Sequence, residues 1–135
     1  MHIYDETKEI HLNNTAVTLG KFDALHLGHQ SLIKHICEEK EMHGYETVLF
    51  SFNTLPLRHQ KTLITKPERL CLCEKMNIDN VIFYPVNEIT MAMEPEDFIR
   101  IVLVENLGAK VIVTGKDFCF GKNRRGNISM LQDFS

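Results

Sequence analysis

Four short apolar runs punctuate the chain: Ala16 to Leu19, Thr47 to Phe52, Val81 to Tyr84 and Val111 to Thr114. Each is rich in β-branched or aromatic residues, which predicts strands. Between the first two, Leu32, Ile33, Ile36 and Cys37 recur at helical spacing, with Lys34, Glu38, Glu39 and Lys40 interleaved and Gly44 closing the segment. That pattern predicts an amphipathic helix. Pro67-Glu68-Arg69 opens a second helical segment with proline in the first turn, running through Leu70, Cys73 and Met76 until Asn77 stops it. Pro95-Glu96-Asp97 opens a third. Phe98 to Val104 is β-branched enough for a strand to compete, but the acidic first turn and the stop at Asn106-Leu107-Gly108 favour helix.

Strands alternating with helices predict an α/β fold in which parallel strands are joined by right-handed crossovers and helices cover both faces of the sheet. Ligands bind such sheets outside the carboxyl ends of the strands. The rule points to Gly20 to His29, Asn53 to Lys66, Tyr84 to Met93 and Lys116 to Gly126. A chain of 135 residues suits one domain, taken here as 1–135, with its own core. It is 44% hydrophobic and 24% charged, as soluble globular proteins are, and no run is long enough to span a bilayer. The start, Met1-His2-Ile3-Tyr4-Asp5-Glu6, lacks the pattern of a signal peptide, so a cytoplasmic protein without membrane attachment is expected.

A formal net charge of -3 argues against a general nucleic-acid surface, because affinity for a polyanion rests on Lys and Arg neutralising phosphates. Any anion site must then be local. Lys116, Lys122, Arg124 and Arg125 form one compact basic cluster, to be read as an anion site or as a solvated loop. Cys37, Cys71, Cys73 and Cys119 have neither C-x-x-C nor zinc-finger spacing, so free thiols are expected and no resident metal.

The candidate chemistry begins at Gly20-Lys21-Phe22-Asp23-Ala24-Leu25-His26-Leu27-Gly28-His29, directly after the first strand. Gly20 lets the chain leave the strand sharply, and Gly28 lets backbone approach a ligand. His26 and His29, three residues apart, can project toward one anion at a helix start, where free N–H groups and the helix dipole favour negative charge. Asp23 reads first as a turn residue accepting local N–H groups. The G-x-F-D-x-x-H-x-G-H pattern resembles that of the nucleotidylyltransferase superfamily. The resemblance implies a Rossmann-like fold, ATP contacts along Gly20, Lys21, Phe22, Asp23, His26, Gly28 and His29, and charge stabilisation by His26 and His29 as pyrophosphate leaves. Such transfers need positioning and electrostatics, so no covalent nucleophile is sought.

A second motif follows the fourth strand: Gly115-Lys116-Asp117-Phe118-Cys119-Phe120-Gly121-Lys122-Asn123-Arg124-Arg125-Gly126. From composition alone it is either a loop that stacks on a planar ring and holds phosphates, or a hydrophobic corner pinned by Phe118 and Phe120. It resembles the G-x-D-F-x-F-G-x-x-x-x-G signature of FMN adenylyltransferase, the N-terminal module of bacterial bifunctional riboflavin kinase/FAD synthetase. Leu63-Ile64-Thr65, Asn77 to Val81 and Met93 to Ile99 agree with that family too, so the resemblance runs from about Ala16 to the end. It implies ATP and FMN as substrates, Mg²⁺ accompanying ATP, and a flavin side shaped by Asn53, Pro56, Asp117, Phe118, Phe120, Gly121 and Arg124.

The chain also departs from the family. Where relatives carry T-F-x-P-H-P, it reads Ser51-Phe52-Asn53-Thr54-Leu55-Pro56, with Leu55 at the histidine position; this bears on the flavin rather than on ATP. Ala24 replaces a glycine. The I-S-S-T-x-x-R element and the riboflavin kinase barrel have no counterpart, and the chain stops at Leu131 to Ser135 inside an expected helix, so a module incomplete at its C-terminus is expected. Adenylyl transfer is the leading reading. A non-catalytic nucleotide- or flavin-binding domain, and a nucleotidylyltransferase using another acceptor, remain open, as does the oligomeric state.

Overall fold

The computed structural model describes residues 2–4, 10–20, 27–53, 74, 76–85, 88–115 and 118–133, with backbone alone at 27–29, 53, 85 and 124. Five strands form one parallel sheet: β1 (His2–Tyr4), β2 (Thr15–Gly20), β3 (Glu46–Asn53), β4 (Asn80–Pro85) and β5 (Ala109–Thr114), in the order β1-β4-β3-β2-β5. The four apolar runs are β2 to β5. β1 was not expected, and it exists through its pairing with β4, where Ile3 stands opposite Val81.

Strand alternation sorts side chains onto two faces. Val17, Leu19, Val48, Phe50, Ile82 and Tyr84 face one way, and meet Phe98, Val102, Leu103 and Leu107. The first three of these belong to a helix that opens with one α-turn, α3 (Pro95–Asp97), and widens into a π-helical stretch over Phe98–Asn106, which Leu107 caps. The helix reading of this segment therefore holds, with a wider hydrogen-bond register in which the Leu107 N–H reaches the Val102 carbonyl at 3.1 Å. Ala16, Leu49, Val81 and Phe83 face the other way, against Ile33 and Ile36 of α1 (Leu27–His43). Helices thus cover both faces. The predicted helix from Pro67 lies outside the described residues except for Glu74 and Met76, where the Asn77 N–H donates to the Glu74 carbonyl at 3.1 Å. Among the described residues there are two further short helices, α2 (Glu88–Met91) and α4 (Ile128–Asp133).

α1 runs back along the sheet, antiparallel to the strands, and its tail is fixed at the amino edge. Lys40 Nζ donates to Asp79 Oδ1 at 2.8 Å. The other carboxylate oxygen of Asp79 accepts from the Thr47 N–H at 3.0 Å and the Thr47 hydroxyl at 3.2 Å. Partial burial works to raise the Asp79 pKa, but the hydrogen bonds from Lys40 and Thr47 and the Lys40 charge outweigh it, and the carboxyl sits below its ordinary value. A carboxyl depressed in the folded state stabilises fully above the unfolded carboxylate range, near pH 4, and loses that contribution as pH falls through the folded value. Asp79→Ala strands the buried Thr47 N–H and is expected to cost about 1–3 kcal/mol. Urea melts at neutral pH and at about pH 3 check this: the difference between parent and variant should shrink in acid.

Candidate functional site

The strands finish together. Gly20 stands beside Ser51, Asn53 beside Pro85, and Leu19 beside Thr114. This carboxyl edge therefore gathers the loops that carry both motifs, as the topology rule predicts.

On one face of the edge lies the start of α1. The helix is 17 residues long and its tail is held at the opposite edge by Asp79, so its first turn comes to the carboxyl edge. Gly28 and His29 belong to that first turn, where unpaired N–H groups and the helix dipole favour an anion. Lys21, Phe22, Asp23 and His26 lie outside the described residues, as do Pro56, Leu55, Lys116 and Asp117.

On the other face the edge is aromatic. Phe50, Tyr84, Phe98 and Phe120 are buried, and half-buried Phe52 and Phe118 sit above them. Ring centroids are 5.4 Å apart for Phe52 and Phe118, 5.7 Å for Phe52 and Phe98, and 5.3 Å for Phe98 and Phe120. Phe118 and Phe120 stack at 6.1 Å. Burial pushes the Tyr84 phenol pKa up, so it stays neutral beneath this layer. Phe52 was not among the expected site residues; alternation along β3, which puts it on the same face as Phe50, is the signal that could have found it.

The second motif is built as a bolted loop. Phe120 and Gly126 exchange N–H···O=C bonds of 3.1 and 2.8 Å, closing its base. The Gly126 backbone lies so close to the Phe120 ring that a Cβ there would come within 2.5 Å of a ring carbon. Gly121 has φ +76, and a Cβ on it would approach Pro95 at 2.8 Å. The neighbouring Lys122 N–H donates to the Met93 carbonyl at 2.8 Å. Phe120, at 3% exposure, is thus packed into the core, and Gly121 serves the loop's packing on Pro95. Of the two readings of this loop, the hydrophobic corner describes Phe120, while Phe118 still presents a partly open ring.

The basic cluster divides. Arg125 Nη1 lies 2.8 Å from Glu94 Oε2 and its Nη2 3.8 Å from Glu96, while Lys122 Nζ is 3.9 Å from Glu94. Those two cations are matched by acids of the same loop cluster. Arg124 and Asn53 are placed by backbone alone, Arg124 in the 3₁₀ turn Lys122–Arg124 and Asn53 at the end of β3. Among the described residues, no three His, Cys, Asp or Glu side chains gather in a way that could hold a metal. Cys37 and Cys119 are not in disulfides; Cys71 and Cys73 lie outside the described residues. A groove of about 300 Å³ runs beside β5, lined by Ile99, Leu103, Ile112, Thr114, Ile128 and Leu131, and reaches the carboxyl end of that strand at Thr114.

Residues 8–135 match the family model described as FAD synthetase. The chain belongs to the FAD synthetase family. Among its relatives, the bifunctional riboflavin kinase/FMN adenylyltransferase of Buchnera aphidicola subsp. Schizaphis graminum is 34% identical over 127 residues, covering 90% of this chain and 41% of the relative. The protein of the same name from Buchnera aphidicola subsp. Acyrthosiphon pisum is 35% identical over 131 residues, covering 93% and 42%. A putative counterpart in Geobacillus thermodenitrificans is 25% identical, covering 98% of this chain and 74% of its own. The chain spans about two fifths of the length of the Buchnera relatives. A crystal structure titled macrolide-efflux protein, from Streptococcus pneumoniae, superposes with a TM-score of 0.81 over 98% of this chain and 54% of its own. At 20% identity it shows the fold alone. Among the described residues of this FAD synthetase family member, no helix is long and apolar enough to cross a membrane.

Proposed function

We propose that this chain transfers the adenylyl group of ATP to FMN, giving FAD and pyrophosphate. The observation that carries the reading is the FAD synthetase match over residues 8–135, which takes in both motif segments. The adjacency of β2 and β5, whose carboxyl ends lead into those segments, supports it.

A phosphate oxygen of FMN attacks the α-phosphorus of ATP. The new P–O bond forms as the bond to the β-phosphate oxygen breaks, and the electron pair leaves with pyrophosphate. His26 and His29 bring positive charge to the departing phosphates, and the N-terminus of α1 adds its dipole there. Gly20, Lys21, Phe22, Asp23 and Gly28 complete the ATP side. Mg²⁺ would accompany ATP as part of the substrate and would offset the charge of its phosphates. Asn53, Pro56, Asp117, Phe118 and Arg124 shape the flavin side, with the half-buried Phe118 ring offering a stacking surface and Phe120 supporting it from below. The reaction consumes soluble nucleotides, which suits a cytoplasmic protein and requires neither nucleic acid nor membrane.

The test is to incubate the chain with ATP, FMN and Mg²⁺ and separate the products by chromatography. FAD and pyrophosphate should form in equal amounts. ATP and FMN recovered unchanged, with binding of both seen by calorimetry, would make it a non-catalytic binding domain. A nucleotidyl product formed with another acceptor and not with FMN would assign a different transferase.

A further inference from the structure

Three buried side-chain polar atoms among the described residues have no hydrogen-bond partner: Thr18 Oγ1, Ser51 Oγ and Asn80 Oδ1. Asn80 starts β4 at the amino edge, and its amide nitrogen already donates to the Thr47 carbonyl at 3.3 Å. The two hydroxyls are different. Leu49 packs with Ile33 and Ile36 of α1, and Ser51, two residues further along β3, points to the same face. Thr18, two residues beyond Ala16 on β2, shares that face as well. Ser51 is 1% exposed and stands third from the carboxyl end of β3, under the end of the sheet to which α1 brings its first turn.

Its register partner is Gly20, the last residue of β2. Gly20 has no side chain that could pair with the Ser51 hydroxyl. Thr18 lies one side-chain step deeper, beside Leu49 and further from the carboxyl edge. A buried hydroxyl without a hydrogen bond destabilises the protein that holds it, and its retention calls for a partner that arrives from elsewhere. At a helix N-terminus that already favours negative charge, the fitting partner is an anion oxygen, which takes the O–H as a charge-assisted hydrogen bond.

We propose that Ser51 is a further nucleotide-binding residue, its hydroxyl donating to a phosphate oxygen held at the N-terminus of α1. The inference rests on the adenylyl-transfer reading and adds to it a residue from β3, on the α1 side of the sheet, opposite the face that carries the aromatic layer.

The experiment compares ATP binding by calorimetry, and ligand-free thermal melting, for the parent, Ser51→Ala, Ser51→Thr and Thr18→Val. Ser51→Ala is expected to bind ATP about tenfold more weakly. Its ligand-free melting temperature should equal or exceed that of the parent, because an unsatisfied buried group has been removed. Ser51→Thr, which keeps the hydroxyl, should bind close to the parent. Thr18→Val should melt no lower than the parent and bind ATP equally well. Unchanged ATP affinity in Ser51→Ala overturns the proposal, as does a loss of affinity accompanied by a lower ligand-free melting temperature, which would mark a structural role. An equal loss in Thr18→Val also overturns it, since the effect would then belong to the packing of this face. A parent that binds no ATP overturns this inference and the adenylyl-transfer reading together, whereas the other adverse results leave that reading standing.

Discussion

His29→Ala and His26→Ala are each expected to lower the rate of FAD formation by about 100- to 1,000-fold, the usual cost of losing one group that stabilises transition-state charge. The loss should fall mainly on kcat, because the β- and γ-phosphates gain negative charge as the bond between the α-phosphorus and the bridging oxygen breaks. The thermal midpoint should stay with that of the parent. His29 lies in the first turn of α1, and the helix is fastened elsewhere, by Ile33 and Ile36 in the core and by Lys40 on Asp79. Steady-state rates across ATP and FMN concentrations, with melting curves beside them, check the expectation. If both variants match the parent in rate and affinity, the assignment of a phosphate clamp to these imidazoles is wrong.

Phe120→Ala should act through stability instead. The ring packs against Phe98 at 5.3 Å and Phe118 at 6.1 Å and lies directly over the Gly126 backbone. Its removal is expected to cost about 3–5 kcal/mol, as for other large buried aromatics. The loop closed by Phe120 and Gly126 should loosen with it. Denaturant unfolding measures the loss. A variant as stable as the parent but with weakened FMN binding would assign Phe120 to the flavin side, as the family resemblance implies.

Much of the architecture was legible because the chemistry of the runs is local. Val17, Val48, Val81 and Val111 each sit in a β-branched stretch that becomes a strand of the sheet, and Gly44 ends α1 where expected, its N–H donating to the Lys40 carbonyl at 2.8 Å. His2–Tyr4 was not legible, since three residues with one aliphatic side chain form a strand only when β4 offers its edge. The π-helical widening after Asp97 was hidden for a related reason. Apolar spacing identifies a helix but does not distinguish an i−4 from an i−5 partner for each N–H.

The site was legible in its motifs and not in its orientations. Residue type marks Phe118 and Phe120 equally as aromatic, but the close approach of Gly126 decides that Phe120 points inward. Likewise the cluster Lys122, Arg124 and Arg125 looks like unspent positive charge until Glu94 is found 2.8 Å from Arg125. That acid is 31 residues away in the chain, beyond the reach of any local pattern. Ser51 stood in the sequence only as the first residue of a loop motif, because what singles it out is a missing hydrogen bond, a property that exists only once neighbours are in place.

The Asp79 anchor has a practical side. It ties Lys40 and Thr47 together at one rim of the sheet, while the motif loops issue from the other. The sheet therefore separates foundation from workshop by the length of its strands. An engineer seeking a sturdier host for altered acceptor specificity can reinforce the lower rim and remodel the upper one independently, since changes that far apart add rather than interfere.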